Sequence, residues 1–317
     1  MNKRDVILSL ADASRPMPYV PAAFFLHFPP PFHSGHAAVE KHLEYFRYTG
    51  MDFVKIQYER TFPPMPQIQS PADWAKMPHY AQDFFEGQLA AVKGLIRAAG
   101  HEAVVVMTLY SPFMCAGHAT SSKLVTEHLN REPEKIRQGL EVITDSLLGF
   151  VRDCIRLGVD GFYMSTQGGE AGRFAEPRRF AEYVKPFDLV LMDEAQRACP
   201  FNILHICDYQ AEYDDFSPFL DYPGTVVSSP LKLGMRQLAP KEAADLFKRP
   251  YMGGLDRTGI IAHGTPEQIR QAANAVMAQA PAHFILAADC TVPSETPWDN
   301  LKASIAAAHA YPWPATI

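Results

Sequence analysis

The sequence predicts an α/β protein folded as a single (β/α)8 TIM barrel. Eight short apolar runs recur along the chain, amphipathic helical patterns lie between them, and no Gly-rich dinucleotide loop follows any run. The last observation weighs against an open doubly wound sheet, the other architecture that such alternation allows. No stretch reads as a linker and no internal repeat is present, so residues 1–317 are expected to form one domain of a size that barrels reach.

The runs lie at 20–28, 52–57, 103–110, 161–165, 202–207, 225–228, 251–255 and 283–289. They are short, rich in Val, Ile, Phe and Met, and lack clean alternation, as expected of parallel strands covered on both faces. The intervening helices carry start and stop signals. Over 133–157, Ile136, Leu140, Ile143, Leu147, Val151 and Ile155 recur at spacings of three and four, and Gly158 follows as a stop. Pro133 suits the first helical turn, where a missing N–H costs nothing. Thr265-Pro266-Glu267-Gln268 spells a capping box, and Thr296-Pro297-Trp298-Asp299 opens the last helix in a similar way. Residues 176–198 include a strand-like Leu189-Val190-Leu191 but read better as one helix kinked at Pro186. Two proline-rich pieces, Pro29-Pro30-Pro31 and Pro63-Pro64-Met65-Pro66, are flanked by aromatics and read as ordered loops over a cavity.

Composition narrows the function. A formal net charge of -6 argues against nucleic acid or an anionic membrane held by electrostatics. No apolar run approaches the ~18 residues of a membrane helix. The start, Met1-Asn2-Lys3-Arg4, has no signal-peptide core, and five cysteines without even spacing argue against a disulfide scaffold. The expected home is a reducing cytoplasm.

His205-Ile206-Cys207 ends the fifth run, and residues i and i+2 of a strand project to one side, so imidazole and thiol converge. Cys290 ends the last run, and in a parallel barrel all strand C-termini share one face. Two sulfurs and a nitrogen suit Zn2+, with a fourth position left for substrate. The alternative is a hydrogen-bonded core histidine with two inert cysteines; the matching strand ends favour metal. Cys115, Cys154 and Cys199 fall in a loop, a helix and a helix end, and read as structural.

The other strand ends supply the pocket. His27, Lys55, Gln57, Tyr58 and Tyr110 are the candidate substrate contacts, and Glu59 closes strand two beside them. The fourth run opens into Ser165-Thr166-Gln167-Gly168-Gly169-Glu170, where the glycines permit unusual backbone and close approach to a ligand. Gln167 and Glu170 are the catalytic candidates. Glu170 reads as a fourth zinc ligand displaced by substrate or as an acid/base, against a solvated loop carboxylate. Asp256 is expected to face the pocket or to orient a ligand. Asp208 and Asp289 are one residue out of phase with the metal trio and are expected to pack against loops. An aromatic mouth of Phe24, Phe25, Phe28, Tyr58 and Tyr110 points to a ligand with apolar or planar parts.

Gly158-Val159-Asp160-Gly161, Ile203-Leu204-His205-Ile206-Cys207, Gly253-Gly254-Leu255-Asp256, His263-Gly264-Thr265-Pro266-Glu267, Cys290-Thr291-Val292-Pro293 and Thr296-Pro297-Trp298-Asp299-Asn300-Leu301 form a specific set. Together they resemble the uroporphyrinogen decarboxylase (URO-D) superfamily, most strongly after about residue 160, and within it the zinc-dependent, corrinoid-linked methyltransferases. The resemblance implies a URO-D-like barrel whose zinc, on His205, Cys207 and Cys290, binds an acceptor thiol as thiolate for attack on a methyl group. A free thiol has a pKa of about 8.5, and metal coordination deprotonates it near neutral pH. The resemblance places cobalamin only on a separate corrinoid partner protein, and leaves a homodimer open. The decarboxylase branch holds its substrate with an arginine-bearing N-terminal stretch and an aspartate near strand two. Here residues 21–28 contain no arginine, and no aspartate follows Asp52 in that strand. A decarboxylase of uroporphyrinogen or another acid would have Lys55, Arg60 and Arg257 as its cations. A third reading is a zinc-dependent lyase or hydrolase acting on a small sulfur-containing or aromatic substrate. A non-enzymatic binding module is least favoured by an open zinc position.

Overall fold

The computed structural model describes residues 2–312, and among these the sheet is a curled, parallel one of seven strands. In order across the sheet they are β1 (Phe53–Ile56), β2 (Val104–Tyr110), β3 (Gly161–Thr166), β4 (Ile203–Ile206), β5 (Val226–Ser228), β8 (Tyr251–Leu255) and β9 (Phe284–Ala288). The short pair β6 (Lys232–Leu233) and β7 (Arg236–Gln237) forms an antiparallel hairpin outside it. Seven of the eight expected runs coincide with these strands to within one or two residues. Helices on the outer face shield the sheet, so Val104, Val105, Val106 and Met107 are all fully buried.

The first run differs. Residues 20–28 are extended but make only one bridge, Ala22 to Leu286. Leu286 N donates to Pro21 O at 2.9 Å, Ala23 N to Leu286 O at 3.0 Å, and Asp52 N to Ala22 O at 3.0 Å. The segment therefore lies between β9 and the residue preceding β1, in the eighth position of a (β/α)8 TIM barrel. A regular ladder does not form because Pro21 has no N–H and the Ala22 N–H is taken by the Asp52 carboxylate at 2.7 Å. Asp52, fully buried, also accepts from Tyr19 Oη at 2.7 Å and pairs with His309 Nε2 at 2.8 Å. One carboxylate thus ties this segment, β1 and the C-terminal helix together at the lower end of the wall.

Other local expectations divide. The helix Pro133–Leu157 ends at Gly158 with φ 91, and Thr265 caps Pro266–Met277 through the expected box. Residues 176–198 form two helices, Arg178–Tyr183 and Lys185–Ala198, broken at Val184. The break precedes Pro186 because proline sits well in a first turn, whereas a continuous helix would drive its ring into the preceding turn. The last helix is Trp298–Ala310 with Pro297, not Thr296, at its N-cap; Thr296 is buried in the preceding turn and makes no cap. Cys115 lies within the helix Pro112–Ala119 and not in a loop. No helix among the described residues is long and apolar enough to cross a membrane. At Gly161, the start of β3, the backbone of Phe201 passes so close that a Cβ would lie 1.5 Å from its carbonyl oxygen.

Candidate metal centre in the barrel mouth

His205 sits on β4 with its ring turned into the lumen, and Cys207 lies one turn of the pleat beyond, its N–H still bonded to Thr166 O at 3.0 Å. Cys290 follows β9, where Asp289 N holds Leu255 O at 2.8 Å. The two sulfurs are 3.9 Å apart as free thiols, and the ligating atoms of the trio all lie within 4.8 Å of one another. His205 Nδ1 meets Ser228 Oγ at 3.3 Å, while Nε2 is buried without any hydrogen-bond partner. The Cys290 thiol, held against Cys207, keeps Cys207 below its ordinary range, and the same contact pushes Cys290 up. Gln167 donates from Nε2 to Cys207 Sγ at 3.4 Å.

The trio opens onto a cavity of about 600 Å³, a size suited to a small molecule. His27, Lys55, Tyr58, Tyr110 and Gln167 line it, together with Glu59, Thr108, Tyr163, His118 and Arg257, which sequence reasoning either left in reserve or missed. His27 pairs through Nδ1 with Glu59 Oε1 at 2.8 Å. Lys55 is buried, donates to Gln57 Oε1 at 2.5 Å, and lies between the rings of Phe25 and Tyr163, 4.8 Å and 4.7 Å from their centroids. Burial pushes its ammonium down to about 7 against the opposing pull of Cys290, Glu59 and Cys207.

Several expected contacts are placed elsewhere. Gln57 does not line the cavity; its Nε2 donates to Leu26 O at 2.7 Å, which fixes the amide with its oxygen toward Lys55. Glu170 is buried outside the cavity, with both oxygens engaged by Arg173 at 2.8 and 2.9 Å and one also by Gly168 N at 2.8 Å. Both oxygens are thus committed to Arg173, and Glu170 lies outside the cavity that holds the trio. Gly169 lies against the Phe219 ring, where a Cβ would sit 2.7 Å from the ring edge. Asp256 is exposed on the rim, accepting from Thr258 N and Oγ1 at 2.8 Å in a tight turn. Phe24, Phe25 and Phe28 do not line the cavity, and Phe28 packs outward on Tyr45 and Trp298. Asp208 and Asp289 both reach Arg257, at 2.8 and 3.2 Å, and hold it at the rim.

A family model described as uroporphyrinogen decarboxylase (URO-D) matches residues 48–311. Over 210 residues the chain is 24% identical to the methylated-thiol–coenzyme M methyltransferase of Methanosarcina mazei, a match covering 66% of this chain and 54% of that protein. The chain thus spans about half the length of that curated relative. A methyltransferase structure from Methanosarcina mazei superposes with a TM-score of 0.76 at 16% identity, over 97% of this chain and 98% of that one. A B12-independent methionine synthase from Shewanella sp. W3-18-1, in complex with selenomethionine, gives a TM-score of 0.54 at 11% identity, over 92% and 97% of the two chains. At such identities these structural likenesses are likenesses of fold.

Proposed function

Because the chain belongs to the uroporphyrinogen decarboxylase (URO-D) family, we propose that it is a zinc-dependent methyltransferase acting on a small sulfur substrate in the barrel mouth. The observation that carries this reading is the buried His205 Nε2, left without a partner beside two free thiols. An unsatisfied buried polar atom costs about 1–3 kcal/mol, and a metal ion held by His205, Cys207 and Cys290 removes that cost. One imidazole and two thiolates are a zinc donor set with one position open. Zinc bound there supplies Lewis acidity that keeps a substrate thiol ionised, and so nucleophilic, near neutral pH.

The protein's own residues prepare the rest. With His205 Nδ1 as the protonated nitrogen facing Ser228 Oγ, the Nε2 lone pair is left for the metal. Gln167 steadies the Cys207 sulfur by its N–H, and the rings of Tyr58, Tyr110 and Tyr163 restrict water. In the transfer, the acceptor sulfur's electron pair forms the S–C bond as the donor's bond to the methyl carbon breaks and its pair leaves with the donor. A corrinoid on a separate partner protein is the proposed donor, as the resemblance of the sequence to the corrinoid-linked methyltransferases implies. Of the cavity's lysine and arginine side chains, Arg257 is engaged by two aspartates, which leaves little to hold a substrate of many carboxylates.

The test is metal content by plasma mass spectrometry in wild type and Cys207→Ser, with methyl transfer from methylcobalamin to 2-mercaptoethanol followed by the corrinoid spectrum. Near one zinc per chain, lost in the variant along with transfer, is expected. Metal-free wild type, or zinc unchanged in the variant, would sink the reading. Release of CO2 from uroporphyrinogen III that survives chelation would replace it with decarboxylation.

A further inference from the structure

We propose that His27 and Glu59 form a proton-accepting dyad in the mouth, in which His27 Nε2 takes the proton of the acceptor thiol and Glu59 holds the ring and carries the counter-charge. The inference rests on the thiol substrate proposed above and names the fate of its proton.

The pairing comes first. His27 and Glu59 both line the cavity that holds the trio, and the His27 side chain is 40% exposed. Its Nδ1 lies 2.8 Å from Glu59 Oε1. An ionised carboxylate only accepts, so that nitrogen carries the proton, and in the neutral ring Nε2 is left with a lone pair. Nε2 makes no hydrogen bond to any described residue.

The dyad is also fixed in place. Leu26 O, just before His27, accepts from Gln57 Nε2 at 2.7 Å, and Phe28 O, just after it, accepts from His33 Nε2 at 2.6 Å. Glu59 donates its N–H to Gln88 Oε1 at 3.2 Å, and the buried Gln88 returns its Nε2 to Gln57 O at 3.2 Å. His33 Nδ1 stands 3.9 Å from Glu59 Oε2, so a second imidazole faces the same carboxylate. Val292 N donates to Phe25 O at 2.8 Å, which joins the residue two after Cys290 to the residue two before His27. One side of the mouth thus carries both a metal-ligating cysteine and the dyad, and a general base works directly or through one water.

The other groups of the cavity are engaged or unsuited. Arg257 is held by Asp208 and Asp289, and Lys55 donates to Gln57 Oε1. His118, on the helix Pro112–Ala119, packs edge-on against Tyr110 and has no carboxylate partner among the described residues. Burial pushes the Tyr110 phenol well up, so it stays protonated. In the step itself the S–H bond of the thiol breaks, its electron pair stays on sulfur, and the proton passes to His27 Nε2. The imidazolium then faces the Glu59 carboxylate. After methyl transfer, departure of the thioether returns the proton to solvent.

The test is thiol affinity against pH, by titration calorimetry of the zinc-loaded full chain with 2-mercaptoethanol from about pH 7 to 8. A thiol that binds as thiolate and gives its proton to the bulk gains about tenfold in affinity per pH unit, whereas one whose proton stays in the protein gains little. Wild type should show the flat profile, and His27→Gln the tenfold rise with zinc content unchanged. Glu59→Gln keeps the imidazole but removes its counter-charge, and should move toward the rise, which a merely structural role would not produce. A steep wild-type profile, or a flat one kept in a folded His27→Gln, would overturn the dyad and leave the metal reading in place. A profile that steepens in Lys55→Met and not in His27→Gln would overturn it in favour of the lysine. Absence of any 2-mercaptoethanol binding by zinc-loaded wild type would remove the metal reading and the dyad with it.

Discussion

The side-chain amide of Gln167 stands 3.4 Å from the sulfur of Cys207 and directs an N–H at it. Donors of this kind stabilise sulfur as thiolate and hold it in orientation. Removing such outer partners typically costs about 10–100-fold in metal affinity. Gln167→Leu is therefore expected to weaken zinc binding by roughly tenfold with little loss of stability. Competition against a chromogenic chelator measures this, and an unchanged affinity would deny Gln167 the role.

Glu170 behaves as a structural anchor. Its carboxylate is clasped by Arg173, whose Nη1 continues to Ser122 Oγ at 3.0 Å. Glu170→Gln leaves the guanidinium short of its charge partner in a largely buried place, so a loss of about 2–4 kcal/mol in urea unfolding is expected. Zinc content should not change. A fall in zinc with unchanged stability would return Glu170 to the metal centre.

Much of this arrangement was legible in the sequence, and the exceptions have separate causes. The strands betray themselves because burial on both faces demands continuous apolar runs, and the His205–Cys207 convergence follows from the pleat alone. The fate of a charged side chain depends instead on its partner. Arg257 meets Asp208 and Asp289 across 49 and 32 positions of sequence, and no local pattern announces the contact. Glu170 and Asp256 are different, because their partners are near: Arg173 lies three residues on and Thr258 two. An Asp-x-Thr turn and an acidic–basic pair flanking a loop were readable signals. Residues 20–28 show the remaining limit, since an apolar run predicts burial but not whether its N–H groups find a strand or a carboxylate.

Asp188 predicts a pH dependence. It is fully buried against Thr166 Oγ1 at 2.6 Å and Tyr222 Oη at 3.1 Å, and burial raises its carboxyl to about 7 from the ordinary 3.8. The folded protein prefers the neutral acid, so this contribution to stability is full below the unfolded value and is lost as pH rises through about 7. The span is on the order of 4 kcal/mol. Asp188→Asn should flatten the fall in thermal midpoint between acid and neutral pH and melt above wild type on the alkaline side. Parallel melting curves across that range would refute it.

At Gly161 the prediction is steric. A methyl group there would meet the Phe201 carbonyl, which is backbone and belongs to the approach to β4. Gly161→Ala is expected to cost more than about 4 kcal/mol or prevent folding. Soluble expression and circular dichroism report it; a wild-type melting curve would contradict the packing described at the base of β3.

The strip 20–28 closes the wall as a gusset, stitched rather than woven. Its lower end is clamped by Asp52; further up, Phe24 O is held by Tyr45 Oη at 2.9 Å and Leu26 O by Gln57 Nε2 at 2.7 Å, with the backbone N–H of Val292 on Phe25 O between them at 2.8 Å. The wall beside His27 thus rests on a few side-chain and backbone bonds, while the seven-strand ladder carries the rest of the sheet. A few substitutions along that seam can let the aperture out or take it in, so that the size of ligand admitted is adjustable without recutting the barrel.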